Sequence, residues 1–236
     1  MEDTEIVVPW RLTEVIEAVA VLVLISLPGF LLSFLPYSGG RLASTNSLFT
    51  ALIMVFMEGI LILLAWNFGV RKYRSSFGKL GFRSFNLPSG IAKGVLWLIA
   101  LKFFTVLYGV VAMSVFGLKP PDELVRGIPD IFGAGIGGFI IAIVVVSIAA
   151  PVAEETFFRG FIYPALRKRF GVGNGILIAA IIFALFHTRI WLIVPVAMMG
   201  IVLGFLYEQE KSLGPPIILH SLNNLLSLMI IYAQKG

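Results

Sequence analysis

The sequence predicts an all-α, polytopic membrane helical bundle of about seven (six to eight) transmembrane helices. Three observations predict it. Of the 236 residues, 58% are hydrophobic, against about 45–50% apolar in soluble domains. Only 13% are charged, and the mean hydropathy is +0.98. Apolar segments of spanning length recur along the chain, and no polar stretch is long enough to build a soluble domain. Residues 1–236 therefore read as a single integral membrane domain.

Composition excludes several function classes. With no cysteine, disulfides, thiolate nucleophiles and Cys-ligated zinc are all ruled out. The formal net charge of +5 is assigned to cytoplasmic loops rather than to nucleic-acid binding, because no basic, aromatic-interleaved surface is present. The N-terminus is acidic (Glu2, Asp3, Glu5, then Glu14 and Glu17), unlike a secretory signal. Met1 to Trp10 is read as a short soluble lead-in, followed by a retained first span.

The apolar segments follow in order. The first runs from about Val15 to Leu35, with a kink expected at Pro28-Gly29, and a turn follows at Pro36 to Gly40. The second, about Leu48 to Val70, contains Glu58, an acid expected to be protonated or paired inside the bundle. Arg71 to Arg83 carries no acid and sets the orientation: this loop, and with it the N-terminus, is expected in the cytoplasm. The third segment spans about Ile91 to Phe116, and Gly117 to Asp130 is a connector on the outer side. The fourth starts near Ile131 and runs towards the basic Arg167-Lys168-Arg169. Its length calls for a bend at Pro151 or emergence from the bilayer, and Gly133, Gly135, Gly137 and Gly138 permit close helix contact. After a turn at Phe170 to Gly175, the fifth runs from about Ile176 to Phe186. The sixth is Trp191 to Tyr207 and the seventh Ile217 to Tyr232. Between them, Leu213-Gly214-Pro215-Pro216 is not expected to be regular helix throughout.

One stretch is anomalous for a membrane span: Ala149 to Gly160 places Glu154, Glu155 and Arg159 directly after an apolar run. Ionised groups at membrane depth cost several kcal/mol each, by rough measure, and need a partner or a task. Glu155 and Arg159 are four apart and share a helix face. Glu154 is turned about 100° away, free for chemistry. The two histidines, His187 and His220, also lie in apolar segments. Glu154 and His187 are equidistant from the Phe170–Gly171 turn, so in a helical hairpin they share a depth. Phe183 shares a face with His187, and Asn224 with His220. Carboxylate plus imidazole can polarise a water. Histidine plus carboxamide can donate to an oxyanion. Two rivals remain open. Ser221 and Ser227 lie near His220 but in no nucleophile elbow. Zinc could take Glu154, His187 and His220, although no His-Glu-x-x-His motif is present.

Glu154-Glu155-x-x-x-Arg159, Phe183-x-x-x-His187 and His220-x-x-x-Asn224, in this order and in separate helices, resemble the three motifs of the CAAX protease and bacteriocin-processing (CPBP, or abortive-infection) family, related to the Ras-converting CAAX endopeptidase. Phe158-Arg159-Gly160 and Leu80-Gly81-Phe82-Arg83 are also similar to family members. The motif-bearing core covers about residues 132–233. The resemblance implies an intramembrane glutamate endopeptidase opening to the cytoplasm. Glu154 is then the base, His187 positions the water, and His220 and Asn224 form the oxyanion site. Glu155, Arg159 and Phe183 support them. It implies no metal and no other cofactor, with a membrane-associated peptide or protein as substrate and the lipid bilayer as environment. No nucleic-acid partner is expected, and the oligomeric state is not read. A bacterial inner membrane is the first choice of location, with thylakoid and endoplasmic reticulum as alternatives. A non-catalytic scaffold or bacteriocin self-immunity protein is the alternative function, and a transporter with a Glu–His proton relay is a third.

Overall fold

Apolar length, rather than amphipathic patterning, decides which segments of this chain become long helices. The computed structural model describes residues 6–32, 47–118, 120, 123–187 and 190–234, and every regular element among them is helical. In chain order these are α1 (Leu12–Leu32), α2 (Ser47–Ala65), α3 (Leu87–Ser114), α4 (Glu123–Phe132), α5 (Ile136–Ala142), α6 (Ala150–Glu155), α7 (Tyr163–Phe186), α8 (Ile193–Glu210) and α9 (Gly214–Ala233). A π-helical turn, Trp66–Arg71, extends α2, and two more, Ile143–Ala149 and Thr156–Ile162, join α5, α6 and α7 into one run. Five helical stretches among the described residues are long and apolar enough to cross a bilayer: Ala51–Arg71, Leu87–Ser114, Ile136–Phe186, Ile193–Glu210 and Gly214–Ala233. The chain is a multi-pass membrane protein.

The 51-residue run Ile136–Phe186 is a hairpin. It breaks at Gly171, whose φ of 80° and ψ of 175° are open to glycine and costly for other residues. Beyond the break the chain returns on itself: a Cβ on Gly175 would lie 2.9 Å from the Arg167 amide nitrogen. The turn expected at Phe170 to Gly175 is therefore the reversal point.

The long first limb, Ile136 to Phe170, is not bent by Pro151 alone. Each internal π turn is followed, after one residue, by a proline: Pro151 after the first and Pro164 after the second. Proline has no N–H, and its ring clashes with the carbonyl four residues back in a regular α-helix. The wider turn, closed by Ala150 N–H to the Val145 carbonyl and Tyr163 N–H to the Phe158 carbonyl, accommodates the ring without breaking the helix.

Three expectations are corrected. Residues 6–10 of the expected soluble lead-in are anchored instead: Ile6, Val8 and Trp10 are buried in the core, and the Trp10 indole donates to the Phe161 carbonyl at 2.9 Å. A polar N-terminal composition concealed three alternating apolar anchors. Part of the connector Gly117 to Asp130 is helix α4, ended by Gly133 at φ 95°. The Pro215-Pro216 pair lies inside the first turn of α9, where the missing N–H groups have no intrahelical partner to lose. Of the four glycines near the fourth segment, only Gly138 is closely approached, by the Gly133 carbonyl within its own turn. Pro36 to Gly40 lies outside the described residues.

The basic loop is a fixed part of the bundle. Leu80 is fully buried, and a Cβ on Gly160 would meet its carbonyl at 2.5 Å. Gly81, at φ 93°, accepts from Leu213 N–H, and the Ser212 hydroxyl donates to the Arg83 carbonyl. At the start of α1, Glu14 accepts from the Arg11 amide and from Lys72 at the end of α2, pinning the two helix ends together.

Candidate active site

Helix α6, held between the two proline-terminated π turns, sets the orientation of both glutamates. The 100° step between adjacent helical residues sends them into different surroundings. Glu155 is fully buried and paired with Arg159 at 2.9 Å, on the face that the four-residue spacing indicates. Arg159 is itself 1% exposed, donates to the Gly200 carbonyl at 3.2 Å and lies 4.4 Å over the Phe183 ring. Its charge is thus met on three sides by a carboxylate, a carbonyl and an aromatic face. Gly200 brings that carbonyl close because α8 crosses α7 tightly there: a Cβ on Gly200 would sit 2.9 Å from Ala180.

Glu154 is different. Its side chain is 18% exposed, and its Oε2 atom is buried without a hydrogen bond. The basic group beside it is His220, whose Nε2 lies 3.8 Å from that oxygen. The other nitrogen of His220, Nδ1, is 2.8 Å from Glu155 Oε1. Because a carboxylate accepts, Nδ1 carries the proton there, and Nε2 is the atom turned towards Glu154. His220 thus bridges the buried pair and the free acid.

His187 sits at the C-terminal end of α7 with its ring 4.6 Å from Phe183. Its Nδ1–H donates to the Phe183 carbonyl at 2.9 Å, which leaves Nε2 as the basic lone pair. Phe183 also stacks edge-on against His220, at 5.9 Å, so one buried ring separates the two imidazoles. No direct hydrogen bond joins Glu154 to His187 among the described residues. Asn224, one turn beyond His220, donates from Nδ2 to the Val146 carbonyl at 2.9 Å, and its Oδ1 accepts from Asn223. One of its two amide protons remains uncommitted.

Six of the seven motif residues thus fall on α6, α7 and α9 and the π turn between the first two, and His187 caps the C-terminal end of α7. Ser227 of the serine alternative is committed elsewhere, donating to the Asn223 carbonyl and accepting from Lys102. Among the described residues, no three acidic or histidine side chains converge in metal-ligating geometry. Glu58, singled out in the sequence, lies on α2, which packs against α6, and its Oε2 is buried without a hydrogen bond among the described residues. Two features escaped the sequence reading. The Val146 carbonyl carries no side-chain signal. Lys102 did carry one, being a cation in the middle of an apolar segment.

Fold and site together define a polytopic membrane protein with a Glu/His/Asn cluster buried among its C-terminal helices. Residues 136–226, the part of the chain that carries the three motifs, match the family described as Type II CAAX prenyl endopeptidase Rce1-like. The chain is 31% identical over 139 residues to a Bacillus subtilis (strain 168) protein named "Putative membrane peptidase YdiL", covering 57% of this chain and 55% of that protein. It is 25% identical over 158 residues to "UPF0177 protein YxdF" of Lactococcus lactis subsp. lactis (strain IL1403), covering 62% of this chain and 82% of that protein. The match thus spans about half the length of YdiL. No solved structure matches.

Proposed function

We propose that this chain is an intramembrane, metal-independent glutamate endopeptidase acting on membrane-associated peptides of CAAX or leader type. A water sits between Glu154 and the Nε2 lone pair of His187. Glu154 takes its proton as the hydroxide adds to the peptide carbonyl. The resulting oxyanion meets Nε2–H of His220, in its doubly protonated form, and the second Nδ2–H of Asn224. Glu154 then returns the proton to the departing amine. Glu155 and Arg159 orient His220 through its Nδ1, and Phe183 spaces the two imidazoles. The active face opens towards the cytoplasm, with Arg71 to Arg83 and the N-terminus on that side of a bacterial inner membrane.

The observation that carries this reading is the division of labour between adjacent glutamates. Glu155 is spent on Arg159 and His220 through its Oε1, with its Oε2 unbonded; Glu154 has no such partners, and its own unbonded Oε2 lies 3.8 Å from an imidazole nitrogen. A purely structural cluster gains nothing by burying that oxygen unsatisfied. The test compares wild type with Glu154→Gln in liposomes on a prenylated CAAX peptide, and in cells by membrane peptidomics, which would also identify the substrate. Cleavage should persist in strong chelator and in Ser221→Ala, and disappear in Glu154→Gln. Zinc-restored loss on chelation, or normal cleavage by Glu154→Gln, would sink the proposal.

A further inference from the structure

Lys102 lies near the middle of the 28-residue α3, half-buried against α9. Its ammonium donates to Ser227 Oγ at 3.0 Å and to the Asn223 carbonyl at 3.4 Å. Both partners are neutral. No carboxylate lies within ion-pair distance of it among the described residues. The other lysine of α3, Lys93, is paired with Glu210 near the helix end. Among the described residues the shallow cation is thus neutralised and the deep one has no anion. A cation held at membrane depth without a counter-charge marks a place where a ligand supplies one.

The position narrows the ligand. Lys102 is about 22 Å along α3 from Leu87, at ~1.5 Å per residue, so it lies deep in a hydrocarbon layer of ~30 Å. A lipid phosphate, fixed at the headgroup level, does not reach it. The Asn223 backbone carbonyl accepts from Lys102 and the Asn223 side-chain amide donates to Asn224 Oδ1, so the ammonium lies against the residue next to the proposed oxyanion donor on α9. Ser227 is seven residues beyond His220 on the same helix, about 10 Å along its axis. An extended peptide covers ~10 Å in about three residues.

We infer that Lys102 forms an anion subsite that binds the free C-terminal carboxylate of the peptide substrate, about three residues beyond the bond to be cut. The subsite deepens the endopeptidase reading and rests on it for the identity of the ligand. Lys102 is a specificity-determining group: it selects a terminal acid and sets the distance from the chain end to the cleavage point. The carboxylate supplies the counter-charge that no described residue provides, and Ser227 and Asn223 hold the ammonium in place until it arrives.

Binding is the suitable readout because it requires no turnover. A fluorescent farnesylated CAAX peptide is titrated against full-length Glu154→Gln protein in neutral-lipid nanodiscs, once with a free C-terminal acid and once with a C-terminal amide. The acid is expected to bind at least tenfold tighter. That preference should vanish in Glu154→Gln/Lys102→Gln and return in Glu154→Gln/Lys102→Arg. Reading the acid-to-amide ratio within each variant cancels differences in the folded fraction. A purely structural Lys102 would change both affinities together and leave the ratio alone. Equal binding of acid and amide by the Lys102-containing protein overturns the subsite, as does a preference that survives Lys102→Gln. An amidated peptide with a terminal-position Glu that binds as well as the acid overturns the C-terminal assignment in favour of a side-chain carboxylate. Selective binding without cleavage by wild type would refute the endopeptidase reading and keep the subsite. Cleavage that ignores amidation would do the reverse.

Discussion

Removing the guanidinium of Arg159 isolates the central electrostatic claim. In Arg159→Ala the 2.9 Å pair with Glu155, the 3.2 Å bond to the Gly200 carbonyl and the stacking over Phe183 are all lost. Glu155 stays fully buried, with His220 Nδ1 as its remaining partner. Breaking a buried ion pair from one side costs roughly 3–5 kcal/mol, because the surviving charge stays out of water. For a chain of this size that corresponds to a drop of roughly 6–20 °C in Tm. The control is Glu155→Gln/Arg159→Met, which removes both charges and retains most of the volume. If the cost comes from an orphaned carboxylate, the double variant should melt well above Arg159→Ala. Thermal unfolding in detergent, followed by tryptophan fluorescence, reads both. Arg159→Ala melting within about 2 °C of wild type would refute the reasoning, and so would a double variant less stable than the single one.

Two further outcomes follow from the other carboxylates. Burial opposes ionisation of Glu14, yet Lys72 and the Arg11 amide outweigh it and hold its pKa down at about 2, against an ordinary 4.5. Its contribution to stability is therefore complete above pH 4.5 and is lost as pH falls towards 2; Glu14→Gln should flatten the acid limb of a Tm-against-pH profile over that window. Glu154→Gln, by contrast, removes a charge whose Oε2 has no bond, so its Tm should equal or exceed that of wild type while turnover disappears.

Sequence made the membrane class, the hairpin and the Glu155–Arg159 pair legible for simple reasons. Apolar length is a composition signal, Gly171 sits at the centre of a glycine-rich break, and a four-residue spacing fixes a helix face. The equidistance of Glu154 and His187 from the turn gave those two residues a common depth. It could not show that His220 would be the imidazole beside Glu154, because the rotation of α9 about its axis depends on packing against α3, α8 and the π turn Ile143–Ala149. The anchoring of Trp10 was illegible because its partner is a backbone carbonyl 151 residues away, and carbonyls leave no trace in a sequence. The π turns were equally hidden: the prolines were visible, and the register shift that accommodates them was not.

That register shift gives Asn224 a second task, which can be separated from the first. In the π turn Ile143–Ala149, backbone bonds run from a residue to the carbonyl five before it, as Ala150 does to Val145. The next residue, Pro151, has no N–H to offer the Val146 carbonyl. The Asn224 side chain takes the place of that missing donor at 2.9 Å, tying α9 to the helix that carries Glu154. Asn224→Ala should therefore lower stability by about 1–3 kcal/mol, through an unsatisfied buried carbonyl. As an oxyanion donor it should also lose ~100–1000-fold in turnover. Pro151→Ala separates the two effects, since it restores a backbone N–H where the carbonyl needs one. In that background Asn224→Ala should cost little stability and still lose turnover. Unfolding in detergent and peptide cleavage, measured across the four-member cycle, distinguish the two tasks. If the turnover loss vanishes together with the stability loss, Asn224 acts only as a strut and the oxyanion role is lost. If the stability loss is unchanged by Pro151→Ala, the proline is not what leaves the Val146 carbonyl open.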